Sequence, residues 1–205
     1  MSLALLDFRR QVAEAYEQFR HSNDPTAAIQ NFRSFRNNLF KFHPQSALDS
    51  AQQQQFRGLE YFPYDPDFRI QADIKPSPDP LVLSLTLGEG TATLERIGTA
   101  AVELPTGKGV LDVFWIAGYG GGIFLPFGDA TNRISTYGGG RYLLDTIKGA
   151  DLGSVGARLV LDFNMAYNPS CAYNPRWVCP LAPPGNRLAF AVPVGEKHPI
   201  PELAV

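Results

Sequence analysis

Sulfur and imidazole are scarce in this sequence. Its 205 residues hold two cysteines, three histidines and two methionines. That is too few for a disulfide framework or a pair of zinc knuckles, which draw on several Cys or His positions at short spacing. Cys171 and Cys179 are separated by seven residues, not the roughly two to four of a zinc loop. His21, His43 and His198 lie far from both in the chain, so no metal is expected, and no motif asks for a cofactor. An excess of positive charge is missing as well. Eighteen Lys and Arg against twenty Asp and Glu give a formal net charge of −2 and a sequence pI near 5.9. Without a basic footprint, neither nucleic acid nor a membrane surface is an expected partner. No apolar run approaches the ~18 residues of a membrane span, and the opening "MSLALLDFRRQVAEAYEQF" lacks a basic leader, so a cytoplasmic location is expected. Thiols there stay reduced, which favours free or catalytic cysteines over a permanent disulfide.

What is present suits one soluble domain over residues 1–205: 44% hydrophobic and 19% charged residues, ordinary for a globular core. The first part, 1–60, reads as helical. Leu5, Phe8, Val12, Ala15, Tyr16 and Phe19 recur at intervals of three and four and make one apolar stripe. That stripe must be covered, either by the rest of the chain or by a second copy in a homodimer. A second helix is predicted from about Pro25 to Phe40, capped by Asn23 or Asp24, with Phe32, Phe35 and Leu39 inward and Arg33 and Arg36 on a neighbouring face. A short third helix follows, with Ser46 or Asp49 as its cap.

After "YFPYDPDFR" the period changes to two. Leu81, Leu83, Leu85 and Leu87 face one way and Val82, Ser84 and Thr86 the other. Similar runs recur near 91–97, 100–104, 110–116, 123–127, 141–147, 158–163 and 188–194, separated mostly by Gly, Pro or Asp. Consecutive strands without crossover helices predict an antiparallel meander, and closing it would remove its exposed edges. The expected fold is therefore α+β, mainly β: a small closed barrel over 61–205 with the N-terminal helices packed against it.

Several stretches carry a resemblance: "HPQSAL", "FRGLEYFPYDPDFR", "GGIFLPFGDATNRISTYGGGRYL" and the long "LDFNMAYNPSCAYNPRWVCPLAPPGNRL". Together they resemble the bacterial and archaeal family known as domain of unknown function 1684. The resemblance implies no activity, cofactor or catalytic residue. Gly185 breaks the "PPEN" expected at 183–186, so no role for an acid can be carried to that point.

The residues leave sites and scaffolding in competition. "GYGGG" at 118–122 precedes another strand rather than a helix, so it reads as a hairpin turn and not a phosphate loop. Arg141 offers a fork of donors either to a ligand or to an internal Asp129 or Asp162. Asp162 and Asn164 share one strand face, opposite the leucines, and lead into a segment of Asn, Tyr and Pro. That segment is either a clasp, its asparagines satisfying backbone groups, or the rim of a pocket. The pocket reading places a small organic ligand at one end of the barrel, on Arg141, Tyr142, Asp162, Asn164 and Tyr167. Its rivals are a hydrolase or transferase using Cys171 or Asp162, with His43 as the candidate base for the thiol, and an assembly protein using its aromatic surfaces.

Overall fold

Helices form where the apolar spacing puts them. The computed structural model describes residues 3–87 and 90–199, the side chain of Leu87 excepted, so the expected facing of Leu87 lies outside the described residues. Helix α1 is Leu3–Arg20, α2 is Pro25–Phe42 and α3 is Ser50–Gln55. Asp24, not Asn23, caps α2: its carboxylate accepts the Thr26 and Ala27 amides at 3.0 Å each, and Pro25 fills the first turn, where no amide is needed. Asp49 caps α3 in a reciprocal box with Gln52. Helix α1 buries Ala15, Tyr16 and Phe19 within the same chain, with the Tyr16 and Phe32 rings edge-on at 5.0 Å. Phe8 and Val12 on the same stripe stay half-buried. Among the described residues no helix is long and apolar enough to cross a membrane.

The alternating region gives nine strands among the described residues: β1 Arg69–Ala72, β2 Ile74–Lys75, β3 Val82–Leu87, β4 Gly90–Leu104, β5 Gly107–Ile116, β6 Gly122–Phe127, β7 Arg141–Asp145, β8 Ser154–Val155 and β9 Arg158–Asp162. All their pairings are antiparallel. The meander is present in β4-β5-β6-β7, with β2 and β3 both on β4, while β1-β9-β8 form a separate sheet.

The expected closed barrel does not form. Closure needs β7 to pair with another strand of the series. Instead Tyr167 occupies the free side of β7 at Tyr142, through amide-to-carbonyl bonds of 2.8 and 3.1 Å. Strand β9 turns away and pairs with β1. The two runs expected at 91–97 and 100–104 are one strand, β4, bulged between Arg96 and Gly98. A Cβ at Gly98 would stand 2.6 Å from the Lys75 carbonyl, so β2 could not approach there without glycine. Residues 188–194 form no strand. Residues 118–122 do make a hairpin turn, with the Gly121 amide on the Gly118 carbonyl at 3.2 Å.

Leu111, Val113, Leu125, Phe127, Leu143 and Phe163 lie in the core with no exposed surface, each burial stabilising by roughly 1.5–3 kcal/mol. Over it runs a strap from Asp162 to Leu188, bolted down by asparagines. Asn164 takes the Asp65 amide at 2.9 Å and returns a bond to the Asp65 carbonyl at 2.7 Å. Asn174 donates to Asp49 at 3.0 Å. Asn186 accepts the Asp112 amide at 2.9 Å and donates to the Asp112 and Pro126 carbonyls at 2.8 Å each. The clasp reading describes this segment well, although what it clasps is an open sheet and a helix layer.

Candidate functional site

Arg141 starts β7 and is wholly enclosed. Its guanidinium donates to Asp129 Oδ2 at 2.8 Å, to the Val192 carbonyl at 2.8 Å, to the Val194 carbonyl, and to the Glu196 carbonyl at 3.3 Å. Asp129 is used on both oxygens, since Oδ1 also accepts the Thr131 amide and hydroxyl and the Val192 amide. The internal partner of Arg141 is thus Asp129, and these bonds hold the C-terminal 190s against β7. Two of the three carbonyls that fix Arg141, those of Val192 and Val194, come from the stretch that sequence periodicity assigns to a strand.

Asp162 and Asn164 lie elsewhere. Asp162 Oδ1 accepts the amide and side chain of Asn164 at 3.0 and 2.9 Å, and Oδ2 reaches Arg69 at 3.5 Å. Burial pushes the Asp162 carboxyl up from its ordinary value, against the bonds from Asn164 and the charge of Arg69. Of the five expected ligand residues, only Tyr142 and Tyr167 are brought together at a cavity. Their rings meet edge-on at 5.6 Å. Arg141, Asp162 and Asn164 do not line it.

This cavity, about 80 Å³, lies where α1 and α2 cross the edge of the sheet. Phe8, Val12 and Tyr16 come from α1, Arg36 and Phe40 from α2, Tyr142 from β7, and Tyr167, Asn168 and Pro169 from the strap, with Lys148 at the following turn. Arg36 lies over the rings of Tyr167 and Phe40, at 5.1 and 5.3 Å, and pairs with Glu196 Oε2 at 2.8 Å. Burial works against the Arg36 charge, but Glu196 beside it keeps the guanidinium protonated. Burial raises the Glu196 carboxyl while Arg36 pulls it back. The phenols of Tyr16, Tyr142 and Tyr167 are all raised, chiefly by burial, so they act here as hydrogen-bonding groups rather than bases.

Two buried oxygens on residues that line the cavity have no partner. Tyr16 is 1% exposed and its hydroxyl is unbonded; Asn168 is 3% exposed and its Oδ1 is unbonded. The amide orientation of Asn168 is fixed from its other side, because Nδ2 donates to the Lys197 carbonyl at 2.7 Å and to the Tyr173 hydroxyl at 3.3 Å. A buried polar group without a partner costs about 1–3 kcal/mol. Tyr16 reads from the sequence only as a member of an apolar stripe. Arg36 carries a weak signal, a charge beside the buried face of α2, and Glu196 carries none.

The cysteines lie further along the strap, both half-buried and both free thiols. The Cys171 amide donates to Cys179 Sγ at 3.3 Å, and the Tyr137 hydroxyl stands 3.9 Å from Cys171 Sγ. The two side chains perturb each other: Cys179 and burial push Cys171 up, while Cys171 lowers Cys179 to about 6, an effect that Lys148 reinforces. His43 does not join them: its ring bonds Asp7 at 3.1 Å and accepts the Gln45 amide at 2.9 Å.

Comparison with known proteins bears on the family and the fold and adds no chemistry. A family model described as "Protein of unknown function (DUF1684)" matches residues 54–197. The solution NMR structure of an uncharacterised protein of Haloarcula marismortui is similar in fold, with a TM-score of 0.57 and 31% sequence identity over 83% of this chain and 92% of that one. No curated protein matches.

Proposed function

Because the chain belongs to the DUF1684 family of proteins of unknown function, membership supplies no activity, and we propose from the geometry that it is a binding module for a small organic molecule. The ligand occupies the cavity between α1, α2 and β7, with Tyr142 and Tyr167 among its contacts. Arg141, Asp162 and Asn164 serve as scaffold behind it. The observation that carries this reading is the pair of unbonded oxygens, Tyr16 Oη and Asn168 Oδ1, just behind the surface of two residues that line an aromatic cavity. Small-molecule sites are of this kind, mostly apolar with a few convergent polar groups. The ligand that fits has a planar apolar body to lie between Phe8, Phe40 and the two tyrosines, and an N–H or O–H for Asn168. Its acceptor atom meets the Tyr16 hydroxyl.

Ordered water is the competing occupant, because water also satisfies unpaired buried groups. Native mass spectrometry of the purified protein, followed by ligand-observed NMR with planar amide-bearing fragments, separates the two. Binding that is lost in Val12→Phe, which fills the cavity from α1, is the expected result. If no retained mass is found and no fragment binds in a Val12-sensitive way, the cavity holds only water.

A further inference from the structure

We propose that Cys171 and Cys179 form a dithiol exchange site, in which Cys179 attacks a small-molecule disulfide and Cys171 resolves the product. The site borders the ligand cavity, with Lys148 and Tyr142 common to both, but its chemistry needs no occupant there.

The geometry puts the two residues together. The Cys171 amide donates to the Cys179 sulfur, which sets that sulfur directly against the backbone of the second cysteine. The chain between them is pinned to the connection before α3. Arg176 donates to the Ser46 and Leu48 carbonyls at 3.0 Å each, the Trp177 indole donates to the Ala47 carbonyl at 2.9 Å, and Asn174 reaches Asp49. A loop held in this way keeps the sulfurs adjacent, so resolution within the molecule outcompetes a second small thiol. Both residues are half-buried rather than sealed, so a small reagent has access.

The roles are unequal. Cys179 Sγ accepts the Cys171 amide, and the neighbouring Cys171 side chain and Lys148 also favour its anion. Cys171 is pushed up beside Cys179 and by burial, and keeps its proton. The other ionisable groups facing the pair are the phenols of Tyr137 and Tyr142, both raised by burial and so neutral.

The chemistry balances without further reagents. The Cys179 thiolate attacks one sulfur of R–S–S–R, the S–S bond breaks, and R–S⁻ leaves and takes a proton from solvent. Cys171 then loses its proton to solvent, its sulfur attacks Cys179 Sγ, and a second R–S⁻ leaves. Two protein thiols are oxidised to one disulfide and the small disulfide is reduced to two thiols. Excess small thiol runs the sequence backwards.

The test uses the reduced full chain and Ellman's reagent, an aromatic disulfide. The wild-type protein is expected to release two thionitrobenzoate anions per chain and to end lighter by two hydrogens, its Cys171 and Cys179 peptides joined. Dithiothreitol should restore the mass. Cys171→Ser should stop at one released anion and a stable mixed disulfide on Cys179, and Cys179→Ser should react at least about tenfold more slowly. Iodoacetamide at neutral pH should label Cys179 first in the wild-type chain. Two stable adducts on the wild type, first labelling at Cys171, or no reaction in the folded protein would each overturn the proposal. The wild-type mass decides even where a variant fails to fold.

Discussion

Arg141 and Arg36 each place a guanidinium against a buried carboxylate, and the two surroundings are completed to different degrees. Around Arg141, both Asp129 oxygens are bonded and the cation meets three carbonyls. Around Arg36, Glu196 uses Oε2 for Arg36 and the Asn168 amide, but Oε1 is unbonded, as are the neighbouring oxygens of Tyr16 and Asn168. Each arginine also leaves its Nε unbonded, so that atom does not distinguish them. The oxygens do. A closed network of this kind is scaffold, whereas an open one beside a cavity has capacity for something else.

The largest effect is expected at the closed end. Arg141→Met leaves Asp129 buried and unpaired, and should cost about 3–5 kcal/mol, read as a lower urea midpoint or as failure to fold. An equal loss from Arg36→Met would erase the contrast. We expect about 1–3 kcal/mol there, because the Glu196 carboxyl can take up a proton next to a cavity that admits water.

The pH dependence of that second variant sharpens the contrast. The folded state raises the Glu196 carboxyl, so it holds that proton to a higher pH than the unfolded chain does. The associated stability is present below the unfolded value and is lost as pH rises through the window up to the folded value. Removing Arg36, which pulls the carboxyl down, widens the window. Arg36→Met should therefore be closer to wild type near pH 5 than near pH 8 in paired denaturation curves. A pH-independent deficit would mean that Glu196 stays ionised.

Two smaller effects complete the series. Asn168→Ala loses the bonds to Lys197 and Tyr173 but also removes an unsatisfied oxygen, for a net cost of about 1–2 kcal/mol in thermal or urea unfolding. Tyr16→Phe deletes a hydroxyl that bonds nothing and should change stability by no more than about 0.5 kcal/mol while weakening fragment binding. A Tyr16→Phe loss comparable to that of Arg141→Met would show that the hydroxyl belongs to the scaffold.

Sequence periodicity found the helices, the leucine face of β3 and the meander because each depends on neighbours in the chain. Leu81, Leu83 and Leu85 are half-buried and Val82, Ser84 and Thr86 exposed, as alternation requires. It missed the open architecture because what stops closure is long-range pairing, Tyr167 on Tyr142 and β9 on β1, which alternation cannot encode. Arg141 and Asp129 were recognisable as a candidate internal pair. Tyr16, Arg36 and Glu196 come from three distant stretches and were not recognisable as one cluster. Tyr16 in particular has the spacing of a core residue, and nothing in that spacing marks its hydroxyl as unbonded.

The asparagine bolts of the strap also set an order of events. Asn164 and Asn174 close onto residues 99 and 125 positions earlier, and Asn186 onto residues 60 and 74 positions earlier. Loops that long cost entropy before they return contacts, so the strap should lock last, onto an already formed meander. During synthesis the chain then carries unfilled acceptors on Asp65, Asp112 and Pro126 until the strap has been made. Commitment to the native state waits for that segment. Pulsed hydrogen exchange on refolding would show this directly: the Asp65 and Asp112 amides should gain protection after the β4 and β5 ladder, and their simultaneous protection would refute a late lock.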